Sequence, residues 1–397
     1  MKILKEKKWN DRSISPENIL ECMYLILFSV LIAYHFFLTT TFQIEWPSII
    51  KFYLNAMIVL VLILKTGVDE KYNLYELLVI GILGIAFLIS WRHNENEEIL
   101  LCMLVIWGAR KIRFDKILKI YCAVIGTLLI FTMVCALTGQ IDNLIFEQAG
   151  RRPRIAFGIC YPTDFSAYVF YLSVAYCYLR RETLKYIETV VVAALGIFVY
   201  YFCDARLNTV CLLLTAVVFA YLIYRKRRTK NKYEMSRVLS GLLAVSPTIC
   251  AFVMIVFSML YSRQNPLMVK LNSILNNRLY YGKKAMDVYG IPIWGQNIPM
   301  RGNGGSVEKV NNYFFLDSSY LYVLLQFGLL TLGILLICWC LITFKAMKKK
   351  NWAMLAAVAV ISVQCMVEHH IMAIVYNPFF MALLADWDIN KTRGKDR

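Results

Sequence analysis

Five short stretches hold the residues whose types and spacing suit chemistry. The first runs from Arg151-Arg152-Pro153-Arg154 through Phe157-Gly158 to Tyr161-Pro162-Thr163-Asp164. Arginine presents a planar fork of donors that matches phosphate oxygens, and Pro153, Gly158 and Pro162 interrupt regular helix so that the backbone can turn. The second is Asp204-Ala205-Arg206, an ionisable pair at the end of an apolar run, where an arginine reads as functional unless the carboxylate merely neutralises it. The third is Asn277-Arg278-Leu279-Tyr280-Tyr281-Gly282-Lys283-Lys284, followed by Tyr289-Gly290-Ile291-Pro292-Ile293-Trp294-Gly295. Rings such as Tyr281 and Trp294 pack on sugar faces while Arg278, Lys283 and Lys284 take phosphate or carboxylate, a combination suited to an anionic glycan. The fourth is Asp317-Ser318-Ser319-Tyr320, in which Asp317 caps the next helix, binds a hydroxyl or acts as a base. In the fifth, Glu368-His369-His370, either Glu368 or His369 suits acid/base work. Adjacent histidines lack the i, i+4 spacing of a helical metal pair, so no metal is expected there.

Each stretch also has a plainer reading. The first can anchor lipid headgroups, the second can be an interfacial cap, the third an aromatic belt, the fourth a helix cap and the fifth an outer turn.

The elements that must position these residues are apolar helices. The 397 residues are 59% hydrophobic with a mean hydropathy of +0.56, above the range of soluble domains. Long apolar runs recur from Ile19 to Leu384, and the spacing predicts about twelve membrane-crossing helices. Four of them matter below: Glu98–Ala109, Val238–Tyr261, Tyr320–Phe344 and Ile371–Ala385. The expected fold is therefore an all-α polytopic membrane bundle, a single domain over residues 1–397. Of the 43 lysines and arginines, 30 fall in the two terminal segments and alternate short loops, which puts both termini in the cytoplasm. The first span reads as a retained anchor, without a small-residue cleavage site.

This orientation leaves one large extracytoplasmic loop, residues 262–319, between spans nine and ten. It carries Arg263, Lys270, Arg278, Lys283, Lys284, Arg301 and Lys309, and the outer cations otherwise gather at Arg151–Arg154 and Arg206. Within the loop, 267–288 has the spacing of an amphipathic helix. The net charge of +17 is thus a topological signal, and without a recognition module it does not indicate nucleic acid. The 12 cysteines read as small buried hydrophobes.

In order and spacing, these stretches resemble the Wzy-type bacterial polysaccharide polymerases, a family akin to the O-antigen ligases. The matching residues are Arg154…Phe157-Gly158…Pro162; Arg206; Arg278-Leu279, Tyr289-Gly290-Ile291 and Trp294-Gly295; Asp317…Tyr320 with Gly328; and Glu368 with Asn377-Pro378. The family often has histidine-proline-asparagine where this chain has Tyr161-Pro162-Thr163, and serine-arginine where it has Ala205-Arg206.

The resemblance implies a metal-independent, cofactor-free glycosyltransferase in the bacterial cytoplasmic membrane. It would polymerise oligosaccharide repeat units carried on undecaprenyl pyrophosphate, making capsule, O-antigen or exopolysaccharide. Arg154, Arg206 and Arg278 would stabilise the leaving pyrophosphate, with Asp317, Glu368 or His369 as the base. Arg151, Arg152, Gly158, Tyr281, Gly282, Lys283, Lys284, Trp294 and Tyr320 would contact substrate. The implied partners are the lipid-linked oligosaccharide, membrane lipid and other assembly proteins such as a flippase or chain-length regulator. Two alternatives stay open, a ligase that hands glycan to another acceptor and a non-enzymatic flippase.

Overall fold

The computed structural model describes residues 16–44, 47–68, 72–147, 150–230, 233–308 and 310–387. The basic N-terminal segment, Lys309 and the tail after Trp387 lie outside them.

The first eight helices are α1 (Pro16–Phe37), α2 (Ser48–Val68), α3 (Leu74–Asn94), α4 (Glu98–Gly108), α5 (Phe114–Leu137), α6 (Pro162–Leu179), α7 (Tyr186–Cys203) and α8 (Arg206–Arg228). A two-stranded hairpin, β1 (Ile145–Phe146) and β2 (Arg154–Ile155), sits between α5 and α6. After α8 come α9 (Arg237–Ala244) and α10 (Ser246–Met259), then α11 (Pro266–Ile274) and α12 (Arg278–Tyr289). The chain closes with α13 (Ser319–Tyr322), α14 (Leu329–Lys348) and α15 (Trp352–Gln364).

Among the described residues, α1, α2, α3, α5, α7, α8 and α14 are long and apolar enough to cross a membrane, and α9 with α10 makes an eighth candidate. Outward-facing Ile26, Ile63, Ile85, Ile197 and Phe252 keep large apolar side chains exposed on several of these helices. A soluble protein would bury such a surface, whereas lipid accepts it. By contrast, α6 and α15 are buried on nearly every side, as expected of helices that are apolar all round. Lipid tails are as apolar as leucine, so these central helices are held by close packing and hydrogen bonds rather than by exclusion of water.

Ion pairs at one end and backbone hydrogen bonds at the other sort the helix ends into two sets. At one end, Lys116 meets Glu21 at 2.6 Å, Arg181 meets Asp115 at 3.0 Å and Lys226 meets Glu182 at 2.8 Å. At the other, the Thr41 amide donates to the Gly158 carbonyl and the Cys160 amide to that of Thr39. The Gly305 amide donates to the Cys160 carbonyl, which brings the 262–319 segment to this second end.

Several expected spans are irregular. Val238–Tyr261 is broken at Val245, where α9 and α10 meet at 54°. Pro247 opens α10 and cannot donate to a continuing helix. Tyr320–Phe344 is interrupted by a π-helical turn over Val323–Phe327 and by Gly328 at φ 96°. The carbonyls freed there are taken up by neighbours. Ser90 donates to Phe327 and Asn94 to Gln326 from α3, and the Gln296 amide donates to Gln326. The expected amphipathic helix over 267–288 is two helices, because Asn276 and Asn277 adopt left-handed backbone between α11 and α12. Helix α4 has 11 residues, which is about 16 Å of helix against the ~30 Å of a hydrocarbon core.

The twelfth expected helix, Ile371–Ala385, does not form. Only a 3₁₀ turn over Pro378–Leu383 appears, opened by Asn377 and Pro378. The segment nonetheless runs the length of the bundle. Tyr376 stacks on Tyr168 near the start of α6, and Phe379 packs on Tyr178 near its end and on Phe114. The Phe114 amide then donates to Asp386. Irregular backbone is tolerated at this depth because protein encloses it: the Tyr121 hydroxyl donates to the Tyr376 carbonyl and Asn377 to that of Ile371.

Candidate functional site

The α7–α8 corner is the platform of the site. Gly196 lets the two helices close up: a Cβ there would stand 3.2 Å from that of Leu212, and the Thr209 hydroxyl donates to the Gly196 carbonyl. The corner turns at Asp204, in left-handed backbone at φ 44°. Its carboxylate takes two guanidinium groups, Arg151 at 2.6 Å and Arg206 at 3.1 Å. Burial works to raise the Asp204 carboxyl, and the hydrogen bonds from Arg206 and Arg151 outweigh it, holding it below the usual carboxylate range. Asp204 therefore both orients and neutralises. Arg206 still keeps 62% of its side chain exposed and presents its free edge outward.

Arg154 comes from β2. It is buried, donates from Nε to the Cys203 carbonyl at 3.2 Å and from an Nη to the Tyr161 hydroxyl at 3.2 Å. Arg152 points elsewhere, exposed over the Tyr200 and Tyr201 rings at 4.7 and 5.4 Å. That is the placement of an interfacial anchor.

Arg278, in the first turn of α12, is only 5% exposed. Its Nε donates to the Val367 carbonyl at 2.5 Å, one Nη to Leu275 at 3.2 Å, and the other Nη lies 3.6 Å from Glu368 and 3.8 Å from Asp317. Glu368 also accepts from Asn208 at 3.0 Å, and Asn208 sits in the first turn of α8, two residues beyond Arg206. Burial pushes the Glu368 carboxyl well above its usual range, against the opposing pull of Arg278.

Ser319 holds this turn in place. Its amide donates to the Cys365 and Glu368 carbonyls, and its hydroxyl donates to Glu368 at 2.5 Å. His369 follows with its ring against Phe315 and Tyr322. Its Nδ1 is buried with no hydrogen-bond partner among the described residues. Burial, with His370 beside it, lowers its pKa to about 4, so the ring is neutral and able to accept a proton. His370 lies 3.4 Å from Asp164 and stacks on Tyr376.

The helix-spacing argument against a metal does not hold at 368–370, because the segment is not helical. The ligand atoms of Glu368, His369 and His370 lie within 4.8 Å of one another. The Arg278 guanidinium beside Glu368 competes with any cation for that carboxylate.

The remaining expected contacts divide. Tyr281 is half-buried, edge-on to Tyr313 at 5.4 Å, in an aromatic wall next to Arg278. Lys283 pairs with Asp287 at 3.0 Å, and Lys284 lies over Phe314 at 5.5 Å. Trp294 is exposed. Its neighbour Gly295 packs on the Gln326 and Phe327 backbone beside Gly328, so the Trp294-Gly295 pair docks the loop on the π-helical turn. Gly158 is buried at φ 80°, where a Cβ would lie 2.9 Å from Ile141 and Thr132. Gly282 packs on Ser258 and Leu321. Tyr320 is fully buried and donates to the Ser362 carbonyl. Gly158, Gly282 and Tyr320 shape the site rather than line it.

Asn208 and Tyr313 belong to the cluster and lie outside the five stretches, whereas Tyr161, Asp164 and His370 lie within them without an assigned role. Asn208 had a signal, a polar side chain inside an apolar helix two residues from Arg206.

A cavity of ≈ 1070 Å³ lies at the opposite end of the bundle, with Arg181, Lys226, Glu234 and Trp387 in its lining. Three of its six lining cations, Arg181, Lys226 and Lys350, pair with Asp115, Glu182 and Glu234. The unpartnered histidine nitrogen and the mixed-charge cluster lie at the other end, and the chemistry is placed there. Set against family models, curated proteins and solved structures, the chain matches none.

Proposed function

We propose that the chain is an integral-membrane glycosyltransferase that polymerises lipid-linked oligosaccharide repeat units. The growing glycan on undecaprenyl pyrophosphate is the donor, and one repeat unit on the same lipid is the acceptor. In this reading both termini are cytoplasmic, and the 262–319 segment and the arginine cluster face outward from a bacterial cytoplasmic membrane. The observation that carries it is that Arg154, Arg206 and Arg278, from three separate stretches, lie at one end of the bundle, with Arg278 against the 367–368 turn that precedes His369, whose Nδ1 has no partner among the described residues.

The chemistry follows from those groups. An acceptor hydroxyl oxygen attacks the anomeric carbon of the donor as the bond from that carbon to the pyrophosphate oxygen breaks. The electron pair leaves with undecaprenyl pyrophosphate, and the hydroxyl proton passes to His369 Nδ1. Preorganised cations facing the developing charge are worth several kcal/mol, and Arg206, exposed at the rim, is placed to receive the phosphate. Glu368 is engaged by Asn208 and Asp317 faces Arg278, so of the three candidate bases His369 is the one with a buried ring nitrogen that no described residue engages. Glu368 instead fixes Arg278 and Asn208.

The test is to delete the gene in its host and separate lipid-linked glycans by leaflet. Single units accumulating on the outer leaflet with loss of polymer support this reading. Single units trapped inside would mean a flippase, long lipid-linked chains that miss their final acceptor would mean a ligase, and unchanged glycans would remove the carbohydrate reading altogether.

A further inference from the structure

The segment after α15 has two sides along its length. Glu368 to His370 belong to the arginine cluster. Met372 to Val375 line a separate cavity of ≈ 460 Å³, walled by α1, α2, α3 and α4. It lies at the same end of the bundle, since its lining includes His35 in the last turn of α1, Trp91 in the last turn of α3 and Glu98 in the first turn of α4.

Its chemistry differs from that of the cluster. Asn55, Asn96 and Glu98 supply planar amide and carboxyl groups, Trp91 supplies an indole, and leucines of α4 complete the wall. This set pairs with ring hydroxyls while an aromatic face covers the C–H side of a sugar. The lining includes one lysine, Lys51, held by Glu97 at 2.6 Å with about half its side chain exposed. The cavity therefore offers a hydroxyl-bearing ligand far more than it offers a pyrophosphate.

The partition between cavity and cluster is thin. Asn96 donates to the Tyr322 hydroxyl at 3.0 Å, and the Tyr322 ring lies 5.9 Å from that of His369. A single aromatic side chain thus separates the polar floor of the cavity from the histidine with the free nitrogen.

We infer that this cavity is the acceptor site, which holds the hydroxyl-bearing sugar of the incoming unit while the arginine cluster holds the donor pyrophosphate. The inference rests on the glycosyl-transfer reading above. It adds that the two substrates enter from opposite sides of residues 368–375. The acceptor oxygen then meets the donor carbon at His369, which takes the proton as the pyrophosphate leaves with its electron pair.

The experiment reconstitutes the full chain in lipid vesicles. The donor is preformed lipid-linked chain and the acceptor is single lipid-linked units, both extracted from the host. Asn55→Trp and Ala373→Trp fill the cavity from opposite walls, and Asn55→Ala is the mild variant that removes one hydrogen-bonding group. The half-saturating acceptor concentration is expected to rise tenfold or more in the tryptophan variants and by about three- to tenfold in Asn55→Ala, the scale of one lost hydrogen bond. The donor constant should stay unchanged throughout. Acceptor constants within twofold of wild type in an active preparation overturn the placement, as do equal rises in both constants. A wild-type protein that transfers nothing overturns the transfer reading itself.

Discussion

Arg278→Ala is the perturbation whose size can be worked from the geometry. At 3.6 and 3.8 Å, Glu368 and Asp317 stand beyond the ~2.7–2.9 Å of a direct charge-assisted bond. They act on Arg278 through space, where a full charge pair is worth about 4 kcal/mol gross at an effective dielectric near 20. Desolvation offsets most of that. The firm contribution is the pair of bonds to Val367 and Leu275, about 1.5–3 kcal/mol each for a charged donor. Truncation leaves the Val367 carbonyl and Asp317 without their cation, at a cost of about 3–5 kcal/mol. The detergent-solubilised protein should therefore melt earlier by fluorescence-detected size exclusion. Polymer formation in vesicles should fall by about 10²–10³, the scale of a lost transition-state donor. Arg278→Lys keeps a charge but cannot hold both carbonyls, so it should recover part of the stability and little of the rate. A folded Arg278→Ala protein that polymerises within about threefold of wild type, ~0.7 kcal/mol of barrier, would falsify the argument.

Four shorter predictions accompany it. His369 has its pKa lowered to about 4, so the base is free above that value and lost as pH falls through it. The acid limb of kcat/KM should lie near pH 4, and a limb near 6.5 would mean another base. Glu368 has a raised pKa, so the stability tied to its proton is present below the unfolded value and lost as pH rises towards the folded one. Glu368→Gln should remove that dependence in denaturation series run across pH, and a pH profile unchanged from wild type would mean that another group carries it. Gly328→Ala places a Cβ 2.5 Å from the Gly295 nitrogen and the Ile293 oxygen at φ 96°, so little folded protein should survive extraction. Arg152→Ala removes an exposed side chain over Tyr200 and Tyr201, and vesicle activity should stay within about twofold, under ~0.5 kcal/mol.

The long helices were legible because apolar composition over about 20 residues says where a chain lies in lipid. Composition does not say what conformation the backbone takes there. Ile371–Ala385 is as apolar as α1, yet Asn377 and Pro378 keep it from becoming an α-helix, and enclosing protein makes that affordable. The same blindness hid the π-helical turn before Gly328 and the break before Pro247. For the site, clustered arginines stand out against an apolar background, so Arg154, Arg206 and Arg278 could be read directly. Asp204 could be paired with Arg206, but its bond to Arg151, 53 residues away, is a tertiary fact. The raised Glu368 carboxyl and the lowered His369 ring both depend on burial, which no spacing reveals.

The irregular course of residues 371–387 bears on how the molecule is made. A helix satisfies its own backbone and can enter lipid alone, whereas an extended strand of amides in hydrocarbon costs several kcal/mol per unpaired group. This stretch therefore has no stable place in the membrane until Tyr121, Tyr168 and their neighbours are assembled to receive it. Its arrival also sets Glu368 and His369 beside Arg278, so docking of the last stretch and completion of the reactive cluster are one event. A nascent or half-assembled chain would hold its arginines in place but lack its base, and it would have nothing with which to act on lipid-linked sugar until the whole bundle had closed.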